Sequence, residues 1–297
     1  APTETRQMSN LWERRPRRDQ VTIHQTHSRM HPFDEAIHLQ PSAPDEFMGA
    51  THPAYANMIG PFGGTTAAQL LQAVMHHPER LGDPVSMTVN YAAPVADGAI
   101  RFVAKVARTN RSTQHWLIEA HQPAGLVANA TAVMAVRRET WSDVEATMPA
   151  DLPAPEALPR MPVRRMPAWP ERYDMRFVEG VFPTDFDGQE QAHSDSTLWV
   201  RDEPARPLDF AALLAISDTF FPRVFIRRRR FVPIGTISMT TYFHADSALL
   251  AQVGTRHVLG VARALSYRHG YYDQTGELYS PEGQMLASTH QLVYFKD

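Results

Sequence analysis

Between Phe210 and Phe221 the chain reads Phe-Ala-Ala-Leu-Leu-Ala-Ile-Ser-Asp-Thr-Phe-Phe, and Asp218 is the one ionisable side chain in it. A carboxylate among such neighbours must reach water, find hydrogen-bond partners or accept a raised pKa, because desolvation penalises its charged form. A raised carboxyl is suited to take a proton from water near neutral pH, the work of a general base. The plainer reading is that Asp218 faces solvent near a helix end, and this stretch alone does not separate the two. A second candidate is Gly63-Gly64, which opens the run Thr65 to Met75. Paired glycines let backbone approach a ligand, and a helix start offers unpaired N–H groups to negative charge; an ordinary turn fits equally. A third is Arg227-Arg228-Arg229-Arg230. Guanidinium groups grip phosphate in a bidentate way, while the alternative is a solvated loop. His244 and His290 come with neither a Ser or Cys elbow nor a metal-binding spacing, so they read as polar lining or satisfied core.

These groups need a scaffold, and composition limits what it can be. The chain has 297 residues, 43% of them hydrophobic, enough for two ordinary domains with a large core. A formal net charge of -3 gives no general reason to bind nucleic acid or an anionic membrane. With no cysteine in the sequence, thiolate nucleophiles, disulfides and cysteine-ligated metals are excluded. No apolar run approaches the length of a membrane span and the first residues lack the apolar core of a signal peptide, so a soluble cytoplasmic protein is expected.

Along the chain, residues 1–30 read as a peripheral, arginine-rich arm. Ala36 to Leu39 is expected to be a strand. A helix follows Gly63-Gly64, and then the period falls to two: Ser86 to Tyr91, Ile100 to Val106, His115 to Ala120 and Leu126 to Met134 read as consecutive antiparallel strands with Asp97-Gly98, Asn110 and Gly125 at their turns. Residues 141–172 are a proline-rich linker. Strands resume at Met175 to Val178 and Thr197 to Val200. One buried helix is expected from Pro207 to Phe225, capped by Asp209 and ended by Pro222. Further strands are expected at Gly235 to Phe243, Gln252 to Leu259, Ala262 to Tyr267, Gly276 to Tyr279 and Gln284 to Phe295. Strands, one buried helix and a run of strands therefore occur twice, as in a duplicated unit with halves at 31–140 and 173–297. Val89 to Ala93 echoes Thr241 to Ala245, and Asn129 to Met134 echoes Ser288 to Leu292, with Ala132 or Val133 where the second half has Gln291.

Phe62-Gly63-Gly64, the run Leu-Ala-Ile-Ser-Asp-Thr-Phe-Phe-Pro ending at Pro222, Thr236 to His244, and Leu286 to Gln291 together resemble the double-hotdog acyl-CoA thioesterases of the bacterial thioesterase II type. The resemblance runs from about Phe33 to Phe295 and implies an α+β fold of two antiparallel sheets, each wrapped around a central helix. It places that family's catalytic Asp, Thr and Gln on Asp218, Thr236 and Gln291, which would act on one water molecule without metal or cofactor. Taken alone, Thr236 is an ordinary strand former and Gln291 a position facing solvent. An Asp-His pair common in the family is replaced by Ser238 and Met239. On this reading Gly63 and Gly64 are candidate oxyanion donors, Phe220, Phe221 and Met239 line an acyl tunnel, and the four arginines clamp coenzyme A phosphates. The implied activity is hydrolysis of fatty acyl-CoA, and the family expectation is further pairing into a homo-oligomer. Two alternatives stand beside it: a non-catalytic acyl-CoA or lipid-binding hotdog protein, and a hotdog enoyl-CoA hydratase. The hydratase uses an Asp with a His five residues later, where this chain has Arg223.

Overall fold

From Thr113 to Gln122 buried and exposed residues alternate, with Gln114, Trp116, Ile118 and Ala120 turned inward and Leu117 and Glu119 outward. That period-two pattern belongs to a strand covered on one face, and it recurs through the sheet. The computed structural model describes residues 30–164 and 166–296. The arm expected at 1–30 therefore lies, apart from Met30, outside the described residues. The first half contains α1 (Pro32–Ala36), β1 (Gln40–Ala43), β2 (Glu46–Ala50), α2 (Gly63–Met75), β3 (Asp83–Tyr91), β4 (Ala99–Thr109), β5 (Thr113–Gln122) and β6 (Gly125–Ala135). The second contains β7 (Tyr173–Glu179), β8 (Ser196–Asp202), α3 (Phe210–Ile216), α4 (Arg223–Arg228), β9 (Ile234–Phe243), α5 (Ser247–Val253), β10 (Val258–Arg263), β11 (Tyr267–Arg268), β12 (Tyr271–Tyr279) and β13 (Met285–Phe295).

All pairings are antiparallel, and one sheet runs β1-β2-β4-β5-β6-β3-β9-β13-β12-β10-β8-β7, with β11 beside β12. Read from each edge to the seam, the halves have the same order. The seam is the β3–β9 pair, where Thr88 faces Thr240 and their hydroxyls lie 2.9 Å apart. A pseudo-twofold axis passes between them, relating Met87 to Met239 and Tyr91 to Phe243. Helices α2 and α3 lie against each other on the concave side. All seven residues of α3 are buried, and full burial of Leu213, Leu214 and Ile216 contributes about 2 kcal/mol each. The two helices can touch because Gly64 has no side chain: a Cβ there would stand 2.6 Å from the Ala215 carbonyl oxygen.

Three expectations are corrected. The stretch expected as a first strand at 36–39 instead closes α1, whose N1 residue is Pro32 and whose first turn is capped by the His31 side chain. The expected strand Gln252 to Leu259 begins in α5, which Asp246 caps through the Leu249 N–H. The single helix expected over 207–225 is two helices, with residues 217–222 between them. Asp209 does cap α3, accepting from the Ala212 N–H at 2.8 Å. The hydroxyls of Ser217 and Thr219 then donate back to the carbonyls of Leu213 and Ile216, and Pro222 disfavours a helical residue before it. The linker also has more structure than its composition implies, since Met161 and Trp169 are buried in the core.

Candidate active site

The break between α3 and α4 puts Asp218 beside the start of α2 rather than on a helix face. Its Oδ1 accepts from Gln291 Nε2 at 2.9 Å, and the carboxylate also accepts the Gly64 backbone N–H. Its Oδ2 stands 2.8 Å from where a Cβ on Gly63 would be, so only glycine allows this approach. Asp218 keeps some accessible surface on a cavity wall, while protein surrounds it on the remaining sides. That surrounding density dominates, and burial pushes its carboxyl from 3.8 up to about 7 against the opposing effect of the two hydrogen bonds.

Gln291 comes from β13 and Thr236 from β9, and a β-bulge lets both point to the concave face. Gln291 pairs with Met239, Leu292 with Ser238, and Val293 with Thr236, leaving Ile237 as the extra residue. Without it, Thr236 and Met239 would face opposite sides, since side chains alternate along a strand. The first half has the same irregularity: Ala132 pairs with Met87, Val133 with Ser86 and Met134 with Pro84. The pseudo-twofold therefore sets Ala132 against Gln291 and Pro84 against Thr236, so the first half has neither the amide nor the hydroxyl. Among the described residues no direct hydrogen bond joins Thr236 to Asp218 or Gln291, but all three line one cavity of about 660 Å³.

Phe220, Phe221 and Gly63 line that cavity too. Met239 does not; it is fully buried behind Gln291, with its sulfur 3.5 Å from Nε2. Of the glycine pair, Gly64 has its N–H turned to Asp218, which leaves Gly63 as the one facing the cavity. None of Arg227, Arg228, Arg229 and Arg230 lines it. Arg227 and Arg228 pair with Glu190, Arg229 with Asp187, and Arg230 lies beside Gly188, so this cluster holds the 185–191 segment. His244 and His290 also lie off the cavity wall, bonded to Ser288 and Asp273. Among the described residues no group of three or more His, Asp or Glu is placed to hold a metal.

Tyr91 and Trp169 are among the wall residues that the sequence does not single out. The Tyr91 hydroxyl donates to the Gly63 carbonyl at 2.9 Å and so fixes the start of α2. Its pseudo-symmetric partner is Phe243, and that single hydroxyl was the available signal. Trp169, from the linker, stacks on Phe62 at 4.3 Å and closes one side of the cavity. Phe220 fits the wall because the sheet beneath it is bare: Cβ atoms on Gly260 and Gly276 would stand 2.7 and 2.8 Å from its ring. Gly260→Ala is therefore expected to destabilise the fold by ~1–3 kcal/mol and to raise KM as Phe220 shifts, checked by thermal melting and steady-state kinetics.

A family model described as the acyl-CoA thioesterase N-terminal domain matches residues 52–135, and one described as the acyl-CoA thioesterase C-terminal domain matches residues 149–295. The chain belongs to this acyl-CoA thioesterase family. Its two matched regions coincide with α2 to β6 and with the linker through β13. Among solved structures, a conserved protein of unknown function with a hot dog fold from Alicyclobacillus acidocaldarius is 46% identical, with a TM-score of 0.85 over 90% of this chain and 99% of that one. The acyl-CoA thioesterase II TesB2 of Mycobacterium marinum is 18% identical, with a TM-score of 0.70 over 89% of this chain and 98% of that one. The TesB protein of Mycobacterium avium subs paratuberculosis is 17% identical, with a TM-score of 0.73 over 90% and 100%. The last two share the fold with this thioesterase. No match was found among curated protein sequences. The α+β double hotdog is thus the fold, and the enzyme is an acyl-CoA thioester hydrolase. No helix among the described residues is long and apolar enough to cross a membrane.

Proposed function

We propose that this thioesterase hydrolyses fatty acyl-CoA through a water molecule held by Asp218, Gln291 and Thr236. The observation that carries the reading is the Gln291 to Asp218 hydrogen bond of 2.9 Å on the wall of an otherwise largely apolar cavity. Ionised Asp218 takes a proton from the water as the oxygen bonds to the thioester carbon. Gln291 keeps the carboxylate oriented, and the Thr236 hydroxyl fixes another direction of the water. Negative charge passes to the carbonyl oxygen, for which the cavity-facing start of α2 at Gly63 supplies a backbone donor and a favourable helix dipole. Collapse of the adduct breaks the C–S bond, and the proton on Asp218 returns to the departing thiolate. The fatty chain has room to extend: a second cavity of about 460 Å³ shares Trp169, Phe221 and Ile234 with the first and adds Phe182, Phe186 and Phe225.

Because the base must be ionised and burial lifts its pKa to about 7, kcat/KM is expected to rise with pH through about 7 and then level off. Thiol release from acyl-CoA substrates of graded chain length tests the assignment. Turnover on fatty chains supports it, whereas binding without release at every length would favour a lipid-binding protein. The hydratase alternative lacks its second group, since the position five residues after Asp218 is a fully buried arginine that does not line the cavity.

A further inference from the structure

Arg223 is completely buried, and its hydrogen bonds all go to neutral oxygens: the carbonyls of Phe221 and Ser194, the Ser196 hydroxyl, and Gln274 Oε1. A buried charge without an ion-pair partner is a large liability for a fold, and burial pulls this guanidinium down to about 10. Its position explains what it can do. Gln274 lies directly opposite Gln291 in the β12–β13 register, so both amides point to the concave face, and Gln274 is also on the cavity wall. Arginine has only donors, so the Gln274 atom facing it, 3.1 Å from Nε, must be the carbonyl oxygen. The amide NH2 is then turned the other way, and the positive charge behind the carbonyl polarises it into a stronger donor.

We propose that Gln274 is a further catalytic residue, donating its NH2 to the thioester as negative charge builds on it, with Arg223 as the positioning residue that fixes and strengthens that donor. This rests on the hydrolytic reading above. It also explains why, among the described residues, no carboxylate is hydrogen-bonded to this arginine, the half-exposed Asp195 acting on it only from a distance: a directly paired carboxylate would cancel the field that the reaction uses.

The test is Gln274→Glu beside Gln274→Met. The glutamate supplies the missing partner for Arg223 but has no NH2 and adds negative charge. We expect its melting temperature to hold or rise while kcat for thiol release falls ~100-fold and KM changes less than ~3-fold. Methionine, similar in size and without a donor, is expected to fold and to lose kcat ~10- to 100-fold. Wild-type kcat in either folded variant would overturn the proposal, and so would loss of folding in both, which would make Gln274 a structural partner only. A wild-type enzyme that releases no thiol would remove the hydrolytic reading and this role with it; an active wild type beside active variants removes this role alone.

Discussion

Asp218→Asn is expected to lower kcat for thiol release by ~10³-fold or more and, above pH 7, to raise the melting temperature. The first effect follows from removing the only group at the bonded cluster that can accept the water's proton; general-base catalysis is worth ~10²–10⁴-fold, and the lost charge weakens the hold on water as well. The second follows from linkage. Burial raises the folded-state pKa from 3.8 to about 7, so the carboxyl is tolerated well when protonated. Stability from this group is complete below pH 4 and is lost as pH rises toward 7, because the unfolded chain ionises first. At pH 8 the ionised folded state gives up about 4 kcal/mol at most, reduced by solvent reaching it from the cavity. Asparagine does not titrate. The variant should therefore melt higher than wild type at pH 8 and about level with it at pH 4. A variant less stable than wild type at pH 8 would mean that the carboxylate is held by more than Gln291 and Gly64.

Gln291→Leu carries the second-largest expectation, a fall in kcat/KM of ~100-fold at pH 7 together with an alkaline move of the pH profile. Gln291 is 4% exposed and sits between Asp218 and the Met239 sulfur, so leucine fills its place without opening a void to water. The loss is of one charge-assisted hydrogen bond that favours the ionised carboxylate, which leaves desolvation less opposed and raises the pKa above its wild-type value. Part of the lost activity should return between pH 8 and 9. A profile that falls without moving would assign Gln291 to binding rather than to the control of Asp218.

Asp218 is legible because its signal is chemical and local, whereas Thr236 and Gln291 are marked only by the family resemblance. Asp218 stands out as an ionisable side chain in an apolar run, and the repeated order of elements marks a duplicated unit, which the family resemblance identifies as two hotdogs. What escaped depends on contacts far apart in sequence. The helix break at 217–222 is set by hydroxyl back-bonding and by Pro222, while the apolar pattern runs straight through it. The bulge at Ile237 leaves no mark in strand periodicity that a single sequence reveals. For Arg227 to Arg230 the sequence leaves a phosphate clamp and a solvated loop both open, because charge runs do not say which neighbours they meet; Arg227, Arg228 and Arg229 meet Asp187 and Glu190, some forty positions earlier. Met239 is placed in the tunnel only on the thioesterase reading, and in the structure Gln291 lies over it.

On the proposed mechanism Asp218 acts through a water molecule and does not itself attack the thioester carbon. Single-turnover hydrolysis of a fatty acyl-CoA in ¹⁸O-labelled water, with enzyme in excess, tests this against an Asp218 anhydride that water opens at the aspartyl carbonyl. Mass spectrometry of the released acid and of the peptide containing Asp218 should find the label in the acid and none in the peptide. Label in the Asp218 carboxylate, with unlabelled acid, would instead make Asp218 the nucleophile and overturn the water mechanism.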